Sequence, residues 1–97
     1  MSEIEYPTTD RIIEYNLLVL SIIKAKKSDQ AEVLSHGRIM DIVEGCKEQK
    51  GDIYDKAVFL LKSLIQKHPF ASGNRSTAFV VTKDFLQNNK SKLNVPD

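Results

Sequence analysis

The residues best suited to chemistry lie in one short stretch of the chain, the run HPFASGNRSTA at residues 68–78. Histidine exchanges a proton near neutral pH, so His68 could take the proton of an attacking hydroxyl group. Arg75 carries a permanent charge on a planar fork that pairs well with phosphate oxygens. The combination predicts proton transfer beside a bound anion.

Two helices would have to position these side chains. Apolar residues at helical spacing predict one helix from residue 53 up to His68, where Pro69 ends it. A second helix is predicted from Asn74 to about residue 88. The connector between them is short, so His68 and the start of the second helix must share one turn.

The start of that second helix predicts an anion site. The first amides of a helix have no partner within the helix, and the helix dipole adds positive charge there. Gly73 lets the backbone approach a ligand closely, and Asn74 can cap the helix or bind the ligand. We therefore expect Gly73, Asn74, Arg75 and Ser76 to hold a phosphate group.

The same residues also have ordinary structural uses. Asparagine is a common helix cap, glycine is a common turn residue, and a histidine before proline often only ends a helix. The residue types by themselves therefore leave a structural and a functional interpretation open.

Two further helices complete the predicted fold. The first covers residues 9–26, and a shorter one spans Ile39 to Cys46 and ends near residues 47–51, after a polar connection over residues 27–36. The first is apolar around much of its circumference, which places it centrally in a bundle or against a partner chain. Cys46 lies on an apolar stripe, which favours a buried thiol over a reactive one. The class is all-α, a small helical bundle formed by one domain over residues 1–97.

Composition limits the classes of function. The 97 residues are 41% apolar and carry a net charge of +1, which offers no bulk attraction to nucleic acid or to an anionic membrane. Residues 67–92 nevertheless carry five cations and one anion, so an anionic ligand would be steered to that third of the chain. No helix shows a cationic face with base-reading residues, so nucleic acid is not expected as a partner.

Location follows from similar observations. A single cysteine excludes an internal disulfide and a cysteine zinc cluster within one chain, and it favours a reducing compartment. The acidic N-terminus differs from a secretory signal, and the apolar run at residues 17–23 is too short to cross a bilayer. We expect a cytoplasmic protein that does not enter the membrane.

The motif and its surroundings resemble the Fic/Doc (Fido) family, and the short Doc-type toxins in particular. The resemblance covers about residues 50–88. It is carried by the following segments: Gly51-Asp52-Ile53-Tyr54-Asp55-Lys56-Ala57, Leu60-Leu61-Lys62-Ser63-Leu64-Ile65, His68-Pro69-Phe70, Gly73-Asn74, Thr77-Ala78 and Phe85-Leu86.

This resemblance implies a small α-helical fold that binds ATP or another nucleoside triphosphate. It further implies transfer of AMP (AMPylation) or of a phosphoryl group to a hydroxyl of a target protein. In the family the motif histidine is the general base, a role that falls on His68. Phe70 would pack the loop into the core, while Gly73 and Asn74 would line the anion-binding turn.

The sequence also departs from the family pattern. Family members carry Asp or Glu, a magnesium ligand, at the place of Ser72, and an Arg on the phosphates at the place of Ser76. A hydroxyl is a much poorer ligand for a hard divalent cation, so no protein metal ligand is expected and magnesium would be held weakly, by the triphosphate itself. Arg75 cannot simply replace an Arg at position 76, since successive helical residues point about 100° apart.

Two functions follow from this pattern. One is a weakened transferase, and the alternative is a catalytically inactive relative that binds a nucleotide or a protein. The inhibitory motif of many Fic proteins is not matched, because Met40 stands where its hydroxyl residue would precede Glu44-Gly45. Control would then come from a separate partner, as in a toxin–antitoxin pair. The sequence does not decide whether an antitoxin exists or whether the chain forms a homo-oligomer.

Overall fold

The computed structural model describes residues 3–23 and 31–90, and these form four α-helices. The helices are α1 (Thr9–Ile22), α2 (His36–Glu48), α3 (Ile53–Lys67) and α4 (Asn74–Asn88). Within the described residues there is no β-strand, only an isolated antiparallel bridge between Val33 and Phe70. The predicted all-α class is confirmed, and the two helices around the motif have the predicted bounds.

Local sequence explains where the helices start. Thr8 caps α1 by accepting a hydrogen bond from the amide of Arg11, and Ser35 caps α2 in the same way. At α3, Asp52 and Asp55 form a reciprocal capping box. Because Ser35 is a good cap, α2 begins at His36, three residues before the predicted Ile39. The predicted connection therefore ends at residue 35, and its residues 27–30 lie outside the described part.

The helices pack as a bundle in which each packs mainly against two neighbours. α3 lies between α2 and α4, and α1 packs against α4 and α2. Arg11 pairs with Asp84, and Asn16 pairs with Thr77, so α1 and α4 run antiparallel. The shared core consists of these apolar residues: Ile12, Ile39, Ile42, Val43, Cys46, Ile53, Ala57, Leu60, Leu64, Phe70, Ala78, Val81 and Phe85. This arrangement places the α3–α4 turn beside the second half of α1.

The predicted central position of α1 is not what the described residues show. Only a narrow stripe of this helix is buried, made by Ile12, Asn16 and Val19. Leu17 and Leu18 are about half exposed, and Ile22 is 66% exposed. These exposed side chains place α1 at the periphery of the bundle. The prediction failed because apolar residues around a helix do not show which face packs against the other helices. Residues 24–26, which the prediction also assigned to this helix, fall outside the described part.

Two buried polar side chains tie the ends of the bundle together. Lys56 donates to the carbonyl oxygens of Cys46, Lys47 and Gln49 at the C-terminus of α2, where a cation also complements the helix dipole. Asn89, fully buried, bonds both the amide and the carbonyl of Glu5 and so fastens the N-terminal segment. Across the described residues, none of the helices has the length and apolar character needed to cross a membrane.

Candidate functional site at the α3–α4 turn

His68 stands directly after α3, at the entrance to the turn. It is the C-cap residue and adopts a left-handed backbone conformation, with φ 45° and ψ 62°. Its side chain is exposed, and the ring makes no hydrogen bond to another described residue. Pro69 and Phe70 follow it into the core, so the chain is anchored immediately beyond the histidine. The turn therefore presents the His68 imidazole at the surface on a fixed backbone.

Arg38, on α2, supports this end of α3. Its guanidinium Nη1 donates to the carbonyl oxygens of Lys67 and His68, at 3.3 Å each. The last carbonyls of a helix lack partners within it, and a left-handed non-glycine residue carries a conformational cost, so this contact stabilises a strained helix end. Arg38 has no local signal in the sequence, because the contact joins residues about 30 positions apart.

Asn74 is the first residue of α4, and its side chain closes the turn. Its Oδ1 accepts a hydrogen bond from the amide of Phe70 at 3.0 Å, and its Nδ2 donates to the carbonyl of Phe70 at 2.8 Å. The helix cap is Gly73 and not Asn74. The Asn74 carboxamide thus holds the backbone of the turn, and what it can offer an anion is its backbone amide.

The N-terminus of α4 has the features of an anion site. Its cap, Gly73, has φ 76° and ψ 17°, and no side chain in the described part of the chain caps the helix. The backbone of Gly73, Asn74, Arg75 and Ser76 forms this first turn. Arg75 is exposed and forms no ion pair with any described residue, whereas Ser76 is half-buried. Four sequence-predicted residues are therefore brought together, with one free cation beside uncapped amides.

Two elements that the sequence analysis missed brace this turn. Asn16, on α1, donates to the carbonyl of Ser72 at 2.9 Å and to Oγ1 of Thr77 at 3.1 Å. The segment over residues 32–35 lies alongside the turn, where Leu34 donates to the carbonyl of Pro69 and Ala71 donates to that of Glu32. No local pattern in the sequence predicts these contacts, since Asn16 and residues 32–35 lie far from the motif in the chain.

The residues present do not fit a metal held by the protein. Ser72 supplies a hydroxyl and not a carboxylate at the motif position. Across residues 3–23 and 31–90, no three His, Cys, Asp or Glu side chains converge as metal ligands would.

Cys46 is not part of the site. It is fully buried in the core, and its Sγ lies 3.6 Å from the carbonyl oxygen of Lys56. Burial raises the pKa of this thiol to about 11, only partly offset by the charge of Lys56. The thiol is therefore protonated at neutral pH, as the predicted buried position implies.

Comparison with known proteins identifies the motif. A model of the Fic/DOC family matches residues 11–86, which include the whole turn and most of all four helices. Neither the curated proteins nor the solved structures contain a significant match.

Proposed function

Since the chain belongs to the Fic/DOC family, we propose that it transfers AMP or a phosphoryl group from a nucleoside triphosphate to a hydroxyl of a target protein. The observation that carries the proposal is the α3–α4 turn. It joins an exposed histidine, His68, to the start of α4, where no described side chain caps the helix and where Arg75 forms no ion pair with a described residue.

The proposed chemistry needs a base and a place for negative charge. The neutral imidazole of His68 accepts the proton of the target hydroxyl while the hydroxyl oxygen forms a bond to phosphorus. Attack at the α-phosphorus releases pyrophosphate and leaves AMP on the target. Attack at the γ-phosphorus releases the nucleoside diphosphate and leaves a phosphoryl group. In either case His68 returns its proton to solvent.

Negative charge on the phosphates is balanced by the start of α4. The amides of Gly73, Asn74, Arg75 and Ser76 and the dipole of α4 act as a fixed positive end. The Arg75 guanidinium adds a full charge within reach of the same turn. Phe70, only 1% exposed, anchors the first part of the turn to the core.

Transfer at this site is expected to be slow. A carboxylate-held metal commonly supplies several kcal/mol of charge stabilisation in phosphoryl chemistry, and Ser72 cannot hold such an ion. Magnesium would be bound by the triphosphate, and the protein would add little to its binding.

Ser72 and Ser76 also support a second function, that of an inactive relative that binds a nucleotide or a protein. In that case the anion site persists without transfer. An antitoxin-like partner and a cytoplasmic setting belong to the first proposal as further expectations.

Labelled ATP distinguishes transfer from binding without transfer, and it also distinguishes AMP transfer from phosphoryl transfer. The protein is incubated with a cell lysate and magnesium, once with ATP labelled at the α-phosphorus and once with ATP labelled at the γ-phosphorus. AMP transfer labels target proteins only from the first, and phosphoryl transfer only from the second.

His68→Ala should abolish labelling, whereas His36→Ala should preserve it. His36 is the other histidine of the chain and is exposed at the start of α2. Labelling that survives in His68→Ala would remove His68 from the reaction, and nucleotide binding without any labelling would favour the binding function.

A further inference from the structure

Asn16 contacts the motif from a different helix. It is 2% exposed on α1, and its Nδ2 donates both to the carbonyl oxygen of Ser72 and to Oγ1 of Thr77. Ser72 immediately precedes the helix cap, and Thr77 lies in the first turns of α4. A carbonyl oxygen can only accept, so the nitrogen of the Asn16 carboxamide must face Ser72. In this contact the Asn16 Nδ2 is the donor and the Ser72 carbonyl oxygen is the acceptor, so the Ser72 carbonyl points toward Asn16.

This contact determines where the next amide points. A peptide group is planar, and in the trans form its C=O and N–H point in opposite directions. Among the described residues there is no cis peptide bond. Since the carbonyl of Ser72 points toward Asn16 on α1, the amide of Gly73 points away from α1.

We propose that Asn16 is a positioning residue that holds the Ser72–Gly73 peptide so that the Gly73 amide faces a bound phosphate. The identity of the ligand rests on the proposed function. If this peptide turned over, a carbonyl oxygen would replace the amide hydrogen at the anion site, and attraction would become repulsion.

The peptide needs such support because it precedes a glycine. Gly73 is in the left-handed region, at φ 76°, and glycine reaches many other conformations at little cost. Rotation of the Ser72–Gly73 peptide is therefore opposed mainly by what its carbonyl contacts. This carbonyl accepts a part-buried hydrogen bond of 2.9 Å from Asn16, which opposes that rotation.

Close packing on α1 keeps the two residues together. A Cβ on Gly73 would lie 3.1 Å from Leu20 Cδ2 and 3.3 Å from Asn16 Nδ2. A glycine at position 73 thus permits both the left-handed backbone conformation and the close approach of α1.

The first test measures the direction of the Gly73 N–H bond without any ligand. Residual dipolar couplings of the backbone amides are compared for the wild type, Asn16→Leu and Asn16→Ala, each checked for cooperative thermal unfolding. The matched control is Thr77→Val, which removes the other hydrogen bond of Asn16 but leaves that to Ser72. We expect the Gly73 coupling to change in both Asn16 variants and to stay at the wild-type value in Thr77→Val. A Gly73 coupling that is unchanged in a folded Asn16 variant would overturn the proposal.

The second test connects this direction to anion binding, with inorganic pyrophosphate as the probe in calorimetric titrations. Both Asn16 variants should bind about tenfold more weakly or worse, as expected when a hydrogen bond to a charged group is lost. Thr77→Val should stay within about twofold of the wild type on the same scale. Equal pyrophosphate affinity in the wild type and both folded Asn16 variants would overturn the Asn16 proposal alone. A wild type that binds no pyrophosphate would instead overturn the phosphate site of the proposed function, and the role of Asn16 with it.

Discussion

The carboxamide of Asn74 bonds both backbone polar groups of Phe70, accepting from its amide and donating to its carbonyl. These two bonds close a ring across the turn and link Phe70 to the first residue of α4. Phe70 itself is buried in the core, so the ring also fastens the start of α4 to the rest of the bundle. Asn74 is thus a structural clamp between the turn and the core.

Asn74→Ala should destabilise the fold by about 1–3 kcal/mol, because it leaves the amide and the carbonyl of Phe70 without their partner. Urea unfolding measures this loss. Asn88→Ala is the matched control, since Asn88 is exposed on the same helix and, among the described residues, its side chain bonds Asp84 alone. It should change stability by less than about 0.5 kcal/mol. Equal stabilities of the two variants would show that the Asn74 bonds contribute little.

Arg75→Ala should weaken ATP binding by roughly 1–3 kcal/mol if its fork is bidentate to a phosphate. Isothermal titration calorimetry gives this value directly. Lys83→Ala serves as the control, because Lys83 is another exposed cation of α4 but lies two turns beyond the site. An ATP affinity that is the same in Arg75→Ala and in the wild type would remove Arg75 from the site.

Ser72→Asp combined with Ser76→Arg should raise the rate of label transfer by about two to three powers of ten, the usual scale of such electrostatic help. The rate of this double variant should also depend more steeply on magnesium than that of the wild type. Adding His68→Ala to the double variant should abolish transfer. If the double variant transfers nothing with any divalent metal, the chain is better described as a binding module.

Cys46 should make stability fall at alkaline pH. Because burial raises the pKa of the folded thiol to about 11 from the ordinary value of 9.0, the unfolded chain loses this proton first as pH rises. The contribution is therefore fully present below about pH 9 and is lost between there and pH 11, at a cost of roughly 2–3 kcal/mol.

Unfolding curves of the wild type and Cys46→Ala across this pH range isolate the effect from that of lysines and tyrosines. The stability difference between the two should be constant up to about pH 8 and should shrink above it. A difference that stays constant up to pH 11 would mean that the thiol is not desolvated in the fold.

The sequence predicts the helices well because their signals are local. Apolar spacing and Pro69 both act within a few residues, so α3 and α4 are found almost to the residue. The same local signals do not say which face of α1 is covered. Its exposed residues, Leu18 and Ile22, have the same character as buried ones, and only the packing of the other helices distinguishes them.

The candidate site is predictable to the extent that it lies in one run of sequence. His68 and the start of α4 are found in this way. Asn16 and Arg38, which hold that run in place, are not. Each acts through a hydrogen bond to a residue 29 to 61 positions away, and an isolated polar residue on a helix gives no indication of its partner. Asn74 is found but with a different use, since its partner in the turn is the backbone of Phe70.

The proposed function depends most directly on where a nucleotide binds to the bundle. Two-dimensional amide spectra of the ¹⁵N-labelled wild type, recorded during titration with ATP and magnesium, report this for the whole chain at once. The largest shifts are predicted at the amides of Gly73, Asn74, Arg75 and Ser76, with smaller ones at His68. Saturable shifts confined to another part of the bundle, or no saturable shifts at all, would contradict the assignment of the α3–α4 turn as the nucleotide site.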